Sequence, residues 1–235
     1  MTDALIEAVL FDKDGTLYAF AQTWNVVAAE LVAHLAKGDD DHAERLADAI
    51  GFDRTALALH PDSIAVAGTN AEVAAALIAH LPEWDHAELA AFIAAWGHDA
   101  PLVEAVPLDS FLAGLAAHGL RLGVMTNDHE SAARAHLTRS GVLEHFDFVA
   151  GADSGHGAKP DPAPLLAFAG AIGVAPGAVV MVGDSPHDLI AGRAAGMHTV
   201  GVLSGARTAP DLAPYSDVVL PDIGHLPGWL AGRLS

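Results

Sequence analysis

Six short apolar runs constrain the fold more than any other feature of this sequence: Ala8–Phe11, Arg121–Met125, Phe148–Ala150, Val179–Val182, Thr199–Leu203 and Asp217–Leu220. Most are continuous rather than alternating, and each ends near glycine or a polar residue. A strand with one wet face alternates apolar and polar side chains, whereas a strand covered on both faces has no need to. The runs therefore predict a parallel sheet with helices on both sides. Helical patterns stand between them. Leu108, Phe111, Leu112 and Leu115 share one face, and Gly119 supplies the stop. Leu165, Leu166, Ala169 and Ile172 repeat the spacing, with Asp161 as N-cap, Pro162 at N1 and Gly173 as the stop. Strand and helix alternating in this way predict an α/β, doubly wound parallel sheet.

One stretch breaks the alternation. Between about Ala19 and Gly97 only helical faces are legible. Trp24, Val27, Ala28, Leu31 and Leu35 form one stripe, and Val73, Leu77 and Leu81 another. Asp85 and Glu88 open a third, carrying Leu89, Phe92, Ile93 and Trp96. Lys37–Asp41 reads as a solvated loop between helices. About eighty helical residues placed directly after the first strand predict a second, all-α domain at 19–99, with the α/β domain at 1–18 and 100–235.

Composition narrows the partners. Eleven Lys and Arg face thirty Asp and Glu, a formal charge of −19. That balance disfavours nucleic acid or an anionic membrane surface, both of which reward clustered cations. With 52% apolar and 17% charged residues the chain can bury a sizeable core. Cysteine is absent, which excludes disulfides, thiolate chemistry and Cys-ligated metals. No apolar run approaches the roughly 18–20 residues of a membrane span. Met1–Val9 holds acidic residues and neither Lys nor Arg, so no secretory signal is expected, and the location expected is cytoplasmic. The expected assembly is a monomer or homodimer.

The residues able to do chemistry gather at strand ends. FDKDGTL, residues 11–17, closes the first run. Asp12 and Asp14 are two apart and project to the same side of an extended chain. Two carboxylates so close repel, so either one is protonated or a divalent cation lies between them. Gly15 lets the chain turn away, and Thr16 can bond the turn or an anion. VMTND, 124–128, puts Thr126 and Asn127 at the end of the second run. GAKPDP, 157–162, sets Lys159 just before a helix. VGDSPHDL, 182–189, holds Asp184 at a strand tip and Asp188 one turn on. In open parallel sheets the site lies at the carboxyl ends of the strands, where all four clusters fall. Carboxylates, a lysine and hydroxyls together make an oxygen-rich site suited to magnesium rather than zinc, and to an anion beside it.

These four motifs, in this order, resemble the haloacid dehalogenase (HAD) superfamily, in the subclass with a helical cap inserted after the first motif; the chain looks phosphoglycolate-phosphatase-like. The resemblance spans nearly the whole chain and implies a Rossmann-like core. It implies a Mg2+-dependent phosphatase for a small phosphorylated metabolite, with Asp12 as nucleophile forming an aspartyl-phosphate. Asp14 would protonate the leaving oxygen and then activate water. Thr126 and Lys159 would hold the phosphoryl group, helped by the amides around Asp14 and Asn127. Asp12, the carbonyl of Asp14 and Asp184 would bind Mg2+, with Asp188 supporting the metal waters or orienting Lys159. A phosphohexomutase of the same fold is the nearest alternative. A non-catalytic phospho-accepting or metabolite-binding module is another, although no catalytic position is replaced.

The chain also departs from familiar relatives. Lys13 stands where many have an apolar residue; strand alternation points it away from Asp12, predicting a surface or backside lysine. Asp128 follows Asn127 where many relatives have lysine. His129, beside it, either reaches substrate or is a surface histidine, the reading preferred; the remaining histidines lack metal spacing and are expected at the surface or rim. Tyr18-Ala19-Phe20 replaces an acidic or small polar pair, which weakens transfer of a relative's substrate. Within the helical stretch, His60–Asn70 is read in two ways. It is a specificity loop offering Ser63, Thr69 and Asn70 to substrate, or a plain connection with Asn70 capping the next helix. Arg54 and Lys37 are the candidate cations for a substrate carboxylate.

Overall fold

The structure, a computed structural model, describes residues 5–234. Met1–Ala4, part of the stretch read as carrying no secretory signal, lie outside the described residues. Six strands, β1 (Ala8–Phe11), β4 (Arg121–Met125), β5 (Phe148–Ala150), β6 (Val179–Gly183), β7 (His198–Val202) and β8 (Val218–Leu220), form one sheet. Its order is β5-β4-β1-β6-β7-β8, and every pairing is parallel. Each run read as a strand is one, with ends shifted by a residue in the last three.

Both faces of the sheet are covered, which is why the strand sequences do not alternate. Val9 and Phe11 pack into a core with Leu112 and Leu137, from α6 (Leu108–Ala117) and α7 (Glu130–Arg139). Ala8 and Leu10 face a second core with Leu165 and Phe168 of α8 (Ala163–Ile172) and Ala191 of α9 (Pro186–Ala194). The helix α8 starts one residue later than the Asp161 cap predicts: Pro162 is its N-cap, while the Asp161 carboxylate still accepts from the Ala163 amide. The short helices α10 (Ala209–Leu212) and α11 (Leu226–Leu230) complete the flanks. The chain runs outward from β1 through β4 to β5, then returns to place β6 on the other side of β1. The reversal opens a crevice at the carboxyl ends of β1 and β6.

The segment after β1 folds around its own apolar centre. It comprises α1 (Phe20–Ala36), α2 (Asp40–Ile50), α3 (Ile64–Ala67), α4 (Asn70–Leu77) and α5 (His86–His98), with Leu31, Leu46, Leu77, Leu81 and Leu89 buried together. It is not purely helical: β2 (Phe52–Asp53) pairs antiparallel with β3 (Ala58–Leu59). The Asp53 carboxylate accepts from the amides of Thr55 and Ala56 and shapes the turn. A hairpin of two-residue strands is too short to leave a periodic signature. The polar run Lys37–Asp41 is only partly a loop, because Asp39 caps α2 through the His42 amide at 2.9 Å. The two chain passages into this segment are tied together, Ala19 N–H donating to the Val103 carbonyl and Ala105 N–H to that of Leu17. Among the described residues no helix is long and apolar enough to cross a membrane.

Candidate active site

The carboxyl end of β1 delivers Asp12 into the crevice, and the end of β6 delivers Asp184. Asp188, in the first turn of α9, is held by the amide of Ser185 at 3.0 Å and its hydroxyl at 2.7 Å. Asp12, Asp184 and Asp188 are all buried, with one carboxylate oxygen of each within 4.8 Å of the others. Lys159 Nζ lies 2.6 Å from Asp12 and 2.6 Å from Asp188, and donates to the Met125 carbonyl at 2.8 Å. Burial pushes Asp12 up to about 7; Lys159 opposes the rise, and Asp188 and Asp14 add to it. Asp184 is also raised, by burial and then by the Asp12 and Asp188 charges. Lys159 is driven upward because the carboxylates of Asp12 and Asp188 outweigh its burial.

Three carboxylates against one ammonium leave two negative charges in a buried place. A hard divalent cation with oxygen ligands fits that deficit. The backbone leaves space for it. Gly15, at φ +84°, and Gly205 stand where any Cβ would collide with the Asp184 carboxylate. Asp14 Oδ1 is buried without a hydrogen-bond partner among the described residues. The donor set therefore suits Mg2+.

Asn127 lines the pocket at the end of β4, and its side chain is also engaged with the lysine loop. Its Oδ1 accepts from the Lys159 amide at 2.9 Å, and its Nδ2 donates to the carbonyls of Lys159 and Ala67, each at 2.9 Å. The side chain thus clamps the lysine loop and reaches α3. Thr126 is buried at the same edge, its hydroxyl accepting from the Asp128 amide at 3.1 Å.

Lys13 overturns the surface reading. It points away from Asp12, as alternation requires, but it is fully buried. That side of β1 is the face of Val9 and Phe11, which α7 covers. Its Nζ lies 3.0 Å from Asp14 Oδ2, 2.9 Å from Asp128 Oδ2 and 3.0 Å from His136 Nδ1. The Asp14 and Asp128 charges outweigh burial and raise the lysine; at Asp128 burial opposes, and Lys13 with the hydrogen bonds from Asn70 and the His129 amide outweighs it and depresses the carboxyl. His136 is likewise no surface histidine. With Nδ1 accepting from Lys13, its Nε2 donates to the Gly97 and His98 carbonyls, each at 3.1 Å. Burial first, and the Lys13 charge next, depress it.

Of the three loop residues, only Asn70 reaches the pocket, where its Nδ2 donates to Asp128 Oδ1 at 2.9 Å. Ser63 turns inward, donating to the Ile50 carbonyl and capping α3 through the Ala65 amide at 3.0 Å. Thr69, rather than Asn70, caps α4, in a reciprocal box with Glu72. Arg54 pairs with Asp40 and Glu44, and Lys37 with Glu83, all at the surface and away from the pocket. Sequence reasoning missed Asp128, His187, Phe20 and Trp24 as pocket walls. The aromatic pair was visible on the first helical stripe, but nothing local says that the stripe's edge faces the sheet.

Residues 6–196 match the haloacid dehalogenase-like hydrolase family. The chain belongs to that family. A curated relative, phosphoglycolate phosphatase of Rhodospirillum rubrum, is 40% identical over 61% of the chain and 61% of its own length. The chain thus spans about six-tenths of that relative. Pyrophosphatase PpaX of Bacillus velezensis is 28% identical over 97% of the chain and 99% of its own length. Among solved structures, β-phosphoglucomutase of Clostridium difficile aligns with a TM-score of 0.67 at 19% identity, covering 97% of each chain. That likeness is one of fold: a doubly wound sheet beneath a helical insertion.

Proposed function

We propose that this protein is a Mg2+-dependent phosphatase that hydrolyses a small phosphorylated metabolite through an aspartyl-phosphate on Asp12, the domain of 1–18 and 100–235 doing the chemistry and 19–99 capping it. The observation that carries the reading is the buried contact of Lys159 with Asp12, inside a three-carboxylate cluster at the sheet's switch point. Family membership and the phosphatase names of both curated relatives support it.

Asp12, Asp184 and Asp188, with the carbonyl of Asp14, would hold the metal. When bound, Mg2+ supplies Lewis-acid charge that offsets the repulsion between a carboxylate and an anionic phosphoryl group. A carboxylate oxygen of Asp12 attacks phosphorus as the bond to the ester oxygen breaks, and Asp14 gives that oxygen its proton. Water then attacks the aspartyl-phosphate and yields a proton to Asp14; the Asp12–phosphorus bond breaks and inorganic phosphate leaves. Lys159 and Thr126 present positive charge and a hydroxyl to the transferring group. Asn127 acts by positioning Lys159, and Asp188 by orienting its ammonium.

The test is release of phosphate from p-nitrophenyl phosphate with and without Mg2+, in the wild type and Asp12→Asn. The wild type should turn over only with the metal, and the variant should lose several orders of magnitude in kcat. Retention of more than about a hundredth of wild-type kcat would refute the covalent route.

A further inference from the structure

The pocket does not stop at the carboxylates. It continues into the helical segment as one space of about 880 Å3, part of it open to solvent. Its floor is polar: Asp12, Asp14, Asp184, Asp188, Lys159 and Thr126. Its upper walls are almost wholly apolar, with Trp24, Leu31, Ile50, Val73, Ile93 and Trp96 among them. We infer that the substrate's leaving group is a hydrocarbon alcohol, aliphatic or aromatic, and not a hydroxy acid or a sugar. This rests on the phosphatase reading above and names the substrate class for that same site.

The argument is one of charge and polarity. Between residues 19 and 99 the only Lys and Arg are Lys37, Arg45 and Arg54. None lines the pocket: Lys37 and Arg54 pair with surface acids, and Arg45 is exposed. A leaving group bearing a carboxylate, as in phosphoglycolate, would set an anion among indole and aliphatic side chains with no lysine or arginine of that segment to pair it. A hexose would bring several hydroxyls needing partners. The polar side chains that the segment contributes to the walls are Asn70, already bonded to Asp128, and the indoles of Trp24 and Trp96; the other domain adds Asn127 and Ser185, bonded to Lys159 and Asp188, and His187. The Trp24 Nε1 is buried and unpartnered among the described residues, so the indoles and His187 offer a few donors, fewer than the hydroxyls of a hexose would need. A hydrocarbon needs none, and gains from each methylene it buries.

The test is a series of primary alkyl phosphates, ethyl to hexyl, beside 2-phosphoglycolate and glucose 6-phosphate, with Mg2+. The value of kcat/KM should rise about fourfold per added methylene, and hexyl phosphate should exceed both polar esters. Ile93→Asn should flatten that slope, whereas a general structural loss would lower every member alike. Phosphate release that favours 2-phosphoglycolate or glucose 6-phosphate overturns the inference while leaving the phosphatase standing. Release from no ester overturns the phosphatase reading instead. A calorimetric arm decides the chamber independently of turnover. In Asp12→Asn with Mg2+, hexyl phosphate should bind more tightly than 2-phosphoglycolate, and equal or reversed affinities sink the inference.

Discussion

Two lysines are buried at the end of β1 and within the loop before α8, and each meets two carboxylates, yet they serve different ends. Lys159 joins Asp12 and Asp188 at the crevice floor, where it borders the pocket. Lys13 joins Asp14 and Asp128 behind that floor, has His136 as third neighbour, and does not line the pocket. In the proposed reaction, one ammonium faces the place where charge moves during phosphoryl transfer. The other holds the carboxylate of Asp14, the proposed general acid, and ties β1 to β4 and α7, with the Trp24 ring of α1 centred 5.6 Å from its ammonium. Burial and charge pairing alone therefore do not distinguish the two lysines; access to the pocket does.

The contrast is broken most directly at Lys159. Lys159→Met should lower kcat by about 10²–10³-fold or more, the scale of losing one preorganised charge in a dry site. A loss under tenfold in a steady-state assay would place the catalytic charge elsewhere. Lys13→Met should act chiefly on stability, since it leaves the carboxylates of Asp14 and Asp128 buried without a cation. About 3–5 kcal/mol of destabilisation is expected, read by urea unfolding. The kcat of the folded fraction should fall less than in Lys159→Met. Adding Asp128→Asn to Lys13→Met removes one of the stranded charges and should recover part of the loss.

The smallest effect is a pH dependence. His136 is held below its ordinary 6.5 in the fold, so the unfolded chain binds its proton more readily. Its contribution is complete above about 6.5 and declines as pH falls toward the depressed value. Asp128, also depressed, contributes above its ordinary 3.8 and is lost as pH falls through its folded value. Asp12 and Asp184, both raised, gain stability as pH falls over the same range, so the His136 contribution is read as a difference between two proteins. Relative to His136→Gln, which can accept from Lys13 and donate to the Gly97 carbonyl, the wild type should lose thermal stability as pH falls below about 6.5. A difference between the two proteins that does not change between about pH 8 and about pH 5 would remove His136 from the network's acid response.

Much of this protein was legible residue by residue. Strands covered on both faces announce themselves by unbroken apolar runs, because every side chain of the run must be dry. Asp12, Asp14, Thr126 and Asp184 follow strand ends, and Lys159 and Asp188 lie in a loop and a first helical turn on the same edge, where a doubly wound sheet gathers whatever its loops carry. Those facts are local, and the sequence by itself determined them. The fate of Lys13, His136 and Ser63 was not local. Alternation told which way Lys13 points, but only the packing of α7 on that face decided whether it meets water or Asp128. Ser63 and Thr69 had the composition of substrate contacts, and backbone groups of α3 and α4 took their hydroxyls instead. The pocket's apolar upper wall belongs to the same class: one edge of each helical stripe fills the segment's own core while its neighbour faces the crevice. That division depends on how helices cross and where they dock on the sheet, since periodicity sets which residues share a face but not what the face meets.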